Sequence, residues 1–403
     1  MYYGWRIAAA SFTVLFVVVG IVYYSFPVFY APLIAEFGWN RAQVTAGFFY
    51  SILLVGPVFG ISAGFLIDRY GTKRILLAGL LSAGIAFAGF GLMHSLSVYY
   101  VFYFLQTIGY VIAGPIPNQV LISQWFNRMR GRAMGAAYVG IGIGGAAAPV
   151  LAQFLIRNFG WRPAMFAIGG IIFAILLPVV LVVVRNKPAE LGLRPDGDPA
   201  PAALPGKVDS QESPIALRSA MRTSTFWMIL VGSMLSIGAV GGIIQHLQLF
   251  LRDQGFVAES AARVASLLLV SSIAGRLAMG YLADRFDKRY VMLAAFLLVG
   301  TAIPLLYLVR VPGAVYVFAA IFGFGMGADY MLIPLVTAQC FGVASLGRLM
   351  GVILTSDAVG QAFAPVLVGR LFDVQKNYDW GFAALTAAAL TAAVAAALIR
   401  KPR

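Results

Sequence analysis

Runs of about 20 or more mostly apolar residues recur along this chain, separated by short charged or Gly/Pro-containing stretches. Twelve such segments fall near 6–35, 42–67, 74–93, 97–125, 131–157, 161–184, 223–251, 259–283, 289–309, 313–341, 347–371 and 379–399. Each is long enough for a helix to cross roughly 30 Å of hydrocarbon. Away from water, every backbone N–H and C=O must be satisfied within its own segment, so the runs predict membrane-spanning helices. The fold class expected is an all-α membrane protein with twelve spans. The first run is too long for a cleaved leader, and no small-residue cleavage site precedes the next one, so it is expected to stay as a span.

One long polar stretch interrupts the pattern. Residues 185–222 hold six basic and five acidic residues and several prolines, which predicts a flexible linker. The expected division is a six-helix bundle over 1–184, a cytoplasmic linker over 185–222, and a second six-helix bundle over 223–403. The halves repeat each other. Gly64-Phe-Leu-Ile-Asp68-Arg69-Tyr-Gly71-Thr-Lys73-Arg74 returns as Gly280-Tyr-Leu-Ala-Asp284-Arg285-Phe-Asp287-Lys288-Arg289, a shift of 216. Gly131-Arg132-Ala-Met-Gly135 returns as Gly347-Arg348-Leu-Met-Gly351, and Ala148-Pro149-Val150 as Ala364-Pro365-Val366, at the same 216. Internal duplication of this kind builds a central site between two pseudo-symmetric halves in many transporters.

Charge sets the orientation. Only 11% of residues are charged, yet the net charge is +14. Of the 29 Lys and Arg, 20 fall at the termini, in the linker and in the loops on their side; eight fall on the other side, and Arg276 lies within a span. That asymmetry places both termini and the linker in the cytoplasm of an inner-membrane protein, and makes the basic residues topology signals rather than a nucleic-acid footprint. The lone Cys340 excludes an intramolecular disulfide and a multi-cysteine metal site. Two histidines cannot furnish a metal cluster, and no nucleophile elbow is present, so neither an enzyme nor a bound cofactor or metal is expected.

The Gly64 to Arg74 loop resembles the signature between helices 2 and 3 of the major facilitator superfamily, and its degenerate second copy sits between helices 8 and 9, as in that family. The resemblance covers essentially the whole chain and implies the major facilitator fold and alternating access. Gly64, Asp68, Arg69, Gly71 and Arg74, with Gly280, Asp284 and Arg285, would then form a conformational latch, the aspartates accepting hydrogen bonds at neighbouring helix N-termini. Finer features are similar to proton-coupled monocarboxylate transporters and bacterial oxalate/formate antiporters. They are Tyr3-Gly4-Trp5-Arg6, Trp125 to Gly135, Gly275-Arg276-Leu-Ala-Met-Gly280, and Ala364 to Asp373.

Ionisable groups inside a bundle are expensive and therefore functional candidates. Four stand well inside spans: Arg276, Asp329, Asp357 and His246. At 1.5 Å per residue, Arg276 lies about 12 Å in from Asp284, and Asp357 about 13–14 Å in from Arg348. Arginine is permanently charged and offers a fork for a carboxylate. Arg276 either binds a substrate anion or forms a structural ion pair with Asp357. The resemblance adds that the helix 11 position of Asp357 is lysine in the oxalate carriers and acidic in the monocarboxylate family, which implies a monoanion accompanied by a proton. Two departures, Val28 and Ser272 in place of that family's lysine and aspartate, leave the proton route open. Asp329 is a second proton carrier or a structural acid. His246, Asn118, Tyr24 and Tyr330 are candidates for hydrogen bonds to substrate, each with packing as its alternative. The helix 5 glycines, Gly135 to Gly145, read as close helix packing.

The expected function is proton symport of a small monocarboxylate of the L-lactate or pyruvate type, with Arg276 on the carboxylate and Asp357 as leading proton carrier. The partners expected are that anion, a proton and the lipid bilayer, with no nucleic acid and no obligate protein partner. A carboxylate exchanger of the oxalate/formate type and a non-transporting solute receptor stay open as alternatives.

Overall fold

The computed structural model describes residues 2–39, 41–198 and 217–400. Linker positions 199–216 lie outside the described residues. Among the described residues there is no β-strand. Eleven helices among the described residues are long and apolar enough to cross a membrane, or twelve when the bent pair Leu53–Gly60 and Ser62–Tyr70 counts as one span. In chain order we number α1 Gly4–Phe29, α2 Arg41–Tyr70, α3 Thr72–Leu92, α4 Leu96–Trp125, α5 Arg130–Phe159 and α6 Trp161–Val183. They continue as α7 Ser224–Asp253, α8 Ala258–Arg285, α9 Lys288–Leu308, α10 Ala314–Phe341, α11 Val343–Gln375 and α12 Asp379–Leu398. The protein is an all-α, multi-pass membrane protein.

Two compact units divide the chain: Met1–Gln211 with Gly347–Val352, and Glu212–Leu346 with Ile353–Arg403. In the first unit, backbone meets backbone where α1 crosses α5. A Cβ on Gly140 or Gly144 would sit 2.4 Å from the carbonyl oxygen of Phe12 or Phe16. Small residues let helices approach this closely where lipid supplies no hydrophobic drive. Helix α1 is itself irregular, π-helical over Phe16–Tyr23 and 3-10 over Phe26–Phe29. Pro27 cannot return a hydrogen bond to the preceding turn, which accounts for the change of winding there. Just before it, Phe26 packs into a buried aromatic cluster, 4.6 Å from the Tyr103 ring centroid and 4.8 Å from that of Phe90.

The first unit extends past residue 184 because the start of the linker folds back on it. The expectation of a flexible tether is corrected over 185–198. The Trp125 indole donates to the Arg185 carbonyl at 2.9 Å, and Lys73 donates its backbone N–H to Asn186 Oδ1 at 2.8 Å. Tyr2 bridges the carbonyls of Trp125 and Arg194 at 2.8 and 3.0 Å. Asp196 closes the clip. Its carboxylate accepts from the backbone N–H groups of Asn127 (2.9 Å), Arg128 (2.6 Å) and Met129 (3.2 Å), just ahead of α5. A carboxylate at a helix start is favoured by the dipole and by the orphan donors there. Asp196 adopts a left-handed backbone (φ 60°), which aspartate tolerates better than most residues. Asp196→Ala is expected to cost about 2 kcal/mol of stability. Asp198→Ala, which removes only an exposed pair with Arg128, should change it by about 0.5 kcal/mol. Thermal unfolding of the purified protein in detergent measures the difference.

In the second unit the tightest crossing is α8 on α10. A Cβ on Gly275 would stand 2.0 Å from the Phe324 carbonyl oxygen; one on Gly327 would stand 2.1 Å from that of Ser272. Gly323, one turn before Gly327, meets the Leu268 carbonyl oxygen at 2.3 Å in the same sense. Helices α7 and α11 also touch by backbone, where a Cβ on Gly360 would lie 2.3 Å from the Met234 carbonyl oxygen. Gly144 and Gly360 are themselves 216 apart, so the sequence repeat is also a repeat of packing. Gly327→Val should force α8 and α10 apart and sharply reduce monodisperse protein by size-exclusion chromatography. Gly170→Ala, which meets nothing within 4 Å, should not.

Candidate functional site

The close approach of α8 and α10 places polar side chains together inside the second unit. On α8, Ser272 and Arg276 are one turn apart. Arg276 Nη1 donates to Ser272 Oγ at 2.8 Å, and Ser272 Oγ donates to the Leu269 carbonyl at 2.7 Å. Ser272 is fully buried, and Arg276 is partly buried. On α10, Asp329 is 0% exposed; its Oδ2 accepts from Ser236 Oγ of α7 at 3.1 Å, and its Oδ1 has no hydrogen-bond partner. Asp329 lies within electrostatic reach of both Arg276 and Asp357.

Asp357 on α11 is 1% exposed, and neither of its carboxyl oxygens has a hydrogen-bond partner. The Ser233 hydroxyl stands beside it but is directed to the Leu230 carbonyl at 3.1 Å. The hydrogen-bonded Arg276–Asp357 pair expected of an empty site is therefore not formed. A carboxylate left without donors away from water is costly, so a group that exchanges a proton fits this place. Arg276, Asp329 and Asp357 come from three helices of one unit, which can hold one anion while one acid changes protonation.

The other expected substrate contacts are placed differently. His246 lies ten residues beyond Ser236 on α7, about 15 Å along the helix. Its Nε2 pairs with the Pro365 carbonyl at 2.9 Å, and its ring packs edge-on to Tyr378. Asn118 is fully buried in the first unit, and its Nδ2 donates to the carbonyls of Ala113 (3.0 Å) and Gly114 (2.7 Å). Pro117 has no N–H to return to Ala113, so the Asn118 amide supplies the missing donor at the break in α4. Tyr24, also in the first unit, is 44% exposed and stands edge-on to Tyr23. Tyr330 is partly buried beside Asp329.

The signature loop is organised around a residue outside the expected set. Arg348 Nε donates to Asp68 Oδ2 at 2.6 Å, and its guanidinium lies 5.2 Å over the Phe65 ring. Gly64 is needed for this approach, since its Cβ would stand 2.3 Å from the Gly347 carbonyl carbon. Gly71 turns the chain into α3 with φ +83°, a left-handed value that favours glycine. Arg69 lies over Tyr70 and Arg285 over Tyr281, while Arg74 is exposed. In the second copy Gly280 is buried, Asp284 is partly buried, and Asp287 replaces Gly71. Asp287 caps α9 through the Arg289 N–H at 3.1 Å and pairs with the Arg289 side chain at 3.5 Å. Arg348 was legible as the counterpart of Arg132 in the repeat. Ser233 and Ser236 carry no sequence signal beyond being hydroxyls in apolar helices, and Ser272 was legible only as a departure from the family's aspartate.

At the opposite end of the first unit, Glu36 accepts from the Trp161 indole at 2.5 Å and from Arg162 at 2.8 Å. These two bonds hold its carboxyl below the usual range.

The family model described as Major Facilitator Superfamily matches residues 12–278 and 260–403. Monocarboxylate transporter 12 of Mus musculus is 26% identical over 94% of this chain and 82% of its own length. The benzoate transport protein of Acinetobacter baylyi is 26% identical over 91% of this chain and 83% of its own. A crystal structure of the E. coli fucose:proton symporter, FucP, shares the fold, with a TM-score of 0.73 at 14% identity and 100% coverage of both chains. The fold and the relatives are those of transporters, not of enzymes.

Proposed function

The chain belongs to the major facilitator superfamily, and from that premise we propose that this transporter carries a small monocarboxylate anion together with a proton. The observation that carries the reading is the set Arg276, Asp329 and Asp357 within one unit, where the buried Asp329 lies within reach of both the permanent cation and the second buried acid. Arg276 receives the carboxylate, pre-aimed by Ser272. Asp329, tied to Ser236, balances the guanidinium while the site is empty, and the arriving anion takes over that balance. Asp357 carries the proton, because a neutral acid needs no counter-charge where no donor meets it. An acid rather than a second base at Asp357 suits a monoanion better than a dianion. The relatives named for monocarboxylates and benzoate agree with a one-carboxylate cargo, for which L-lactate or pyruvate is the proposed type.

Asp68 and Arg348 form the latch in this proposal, released and remade as access alternates. The Asp68 end faces the cytoplasm of an inner-membrane protein by the distribution of basic residues. Uptake of labelled L-lactate into proteoliposomes, with and without an inward proton gradient, tests the reading. Gradient-driven accumulation is expected. Uptake that ignores the gradient but is driven by internal carboxylate would make the protein an exchanger and overturn the coupling.

A further inference from the structure

A second polar feature lies on the far half of α5 in the first unit. Val150, Gln153, Phe154, Arg157 and Asn158 are spaced 3, 1, 3 and 1 apart, which puts them on one helix face. With Pro149 and Val28 of α1 they line a bay of about 730 Å³. That volume is within the range of small-molecule sites, whose walls are mostly apolar with a few polar groups. Asn158 Nδ2 is turned back to the Phe154 carbonyl at 2.7 Å. Arg157 is exposed and has no side-chain hydrogen bond or ion pair among the described residues. A cation in the last turn complements the helix end wherever it points. That role does not require an apolar bay beside it.

We propose that this bay is a docking subsite for a small organic anion with an apolar tail. Arg157 meets the carboxylate with its guanidinium fork, while Val28, Val150 and Phe154 cover the tail. The proposal rests on the carboxylate reading above for the identity of the cargo, but not for the existence of an anion-selective bay.

The test uses Val150→Cys in a Cys340→Ser background, since Val150 is 70% exposed and tolerates the change. The new thiol is reacted with a small anionic (sulfonatoethyl) and a small cationic (trimethylammonioethyl) methanethiosulfonate. The anionic reagent should gain about fivefold in relative rate over the same protein carrying Arg157→Ala, a gain that salt diminishes. Sodium L-lactate should slow the labelling in the Arg157 form only. In uptake, Arg157→Ala should raise KM for L-lactate several-fold with Vmax unchanged, and Arg157→Lys should restore most of it. A reagent ratio unmoved by Arg157→Ala, with no protection by lactate, would mean a lipid-filled bay and overturn the proposal. Arg276→Ala separates the two readings: it should stop uptake and leave the Val150→Cys reagent preference intact.

Discussion

Arg276→Ala is expected to lower carboxylate uptake at least a hundredfold, with Arg276→Lys retaining a measurable fraction. A guanidinium offers a carboxylate two charge-assisted hydrogen bonds, each worth about 1.5–3 kcal/mol in a setting like this. Losing about 3 kcal/mol is already more than a hundredfold in binding. Lysine keeps the charge but not the fork. The substitution also removes the cation near Asp329, and an uncompensated buried charge destabilises by itself. Arg276→Ala with Asp329→Asn controls for this. The double variant should recover the thermal stability lost in the single one without recovering uptake. Restored uptake in the double variant would mean that Arg276 serves only to neutralise Asp329.

The second large effect is expected at Asp357. Asp357→Asn keeps the volume and polarity of the side chain but cannot exchange a proton. Under an inward gradient of one pH unit, the wild type can accumulate lactate about tenfold with one proton per anion. The Asn variant should show no accumulation above equilibrium, yet should still exchange internal for external lactate. Comparison with Asp329→Asn distinguishes the two acids. Asp329 is bonded to Ser236 and within reach of Arg276, so its loss should raise KM more than it uncouples.

The spans, the duplication and the three charged residues of the second unit were legible because lipid leaves few ways to satisfy a backbone and makes each intramembrane charge conspicuous. The helix 5 glycines were legible as packing, and Gly140 and Gly144 do bring the α1 and α5 backbones together. The matching role of Gly275, Gly323 and Gly327 between α8 and α10 was not legible in the sequence. What is decided by side-chain direction was not. Whether Asp357 or Asp329 lies within reach of Arg276 depends on helix rotation, which depth along a helix does not report. Asn118 reads as a substrate ligand from its place in the span, and only the missing donor of Pro117 shows why its Nδ2 turns to the Ala113 carbonyl. His246 is engaged in the same way by the Pro365 carbonyl. The segment 185–198 has the composition of a tether, and only the three N–H groups gathered by Asp196 reveal it as a clip. The Arg348–Asp68 contact joins residues 280 apart, beyond the reach of any local pattern.

The central claim is that one carboxylate and one proton move together through the second unit's charged site. The most direct measurement is the internal pH of proteoliposomes loaded with a pH-sensitive dye, followed as L-lactate is added outside, for the wild type and Asp357→Asn. Protein-free liposomes set the background from lactic acid crossing the lipid unaided. The account predicts wild-type acidification well above that background, in step with labelled lactate entry, and none above it for Asp357→Asn. Lactate entry through the wild type without acidification would contradict it.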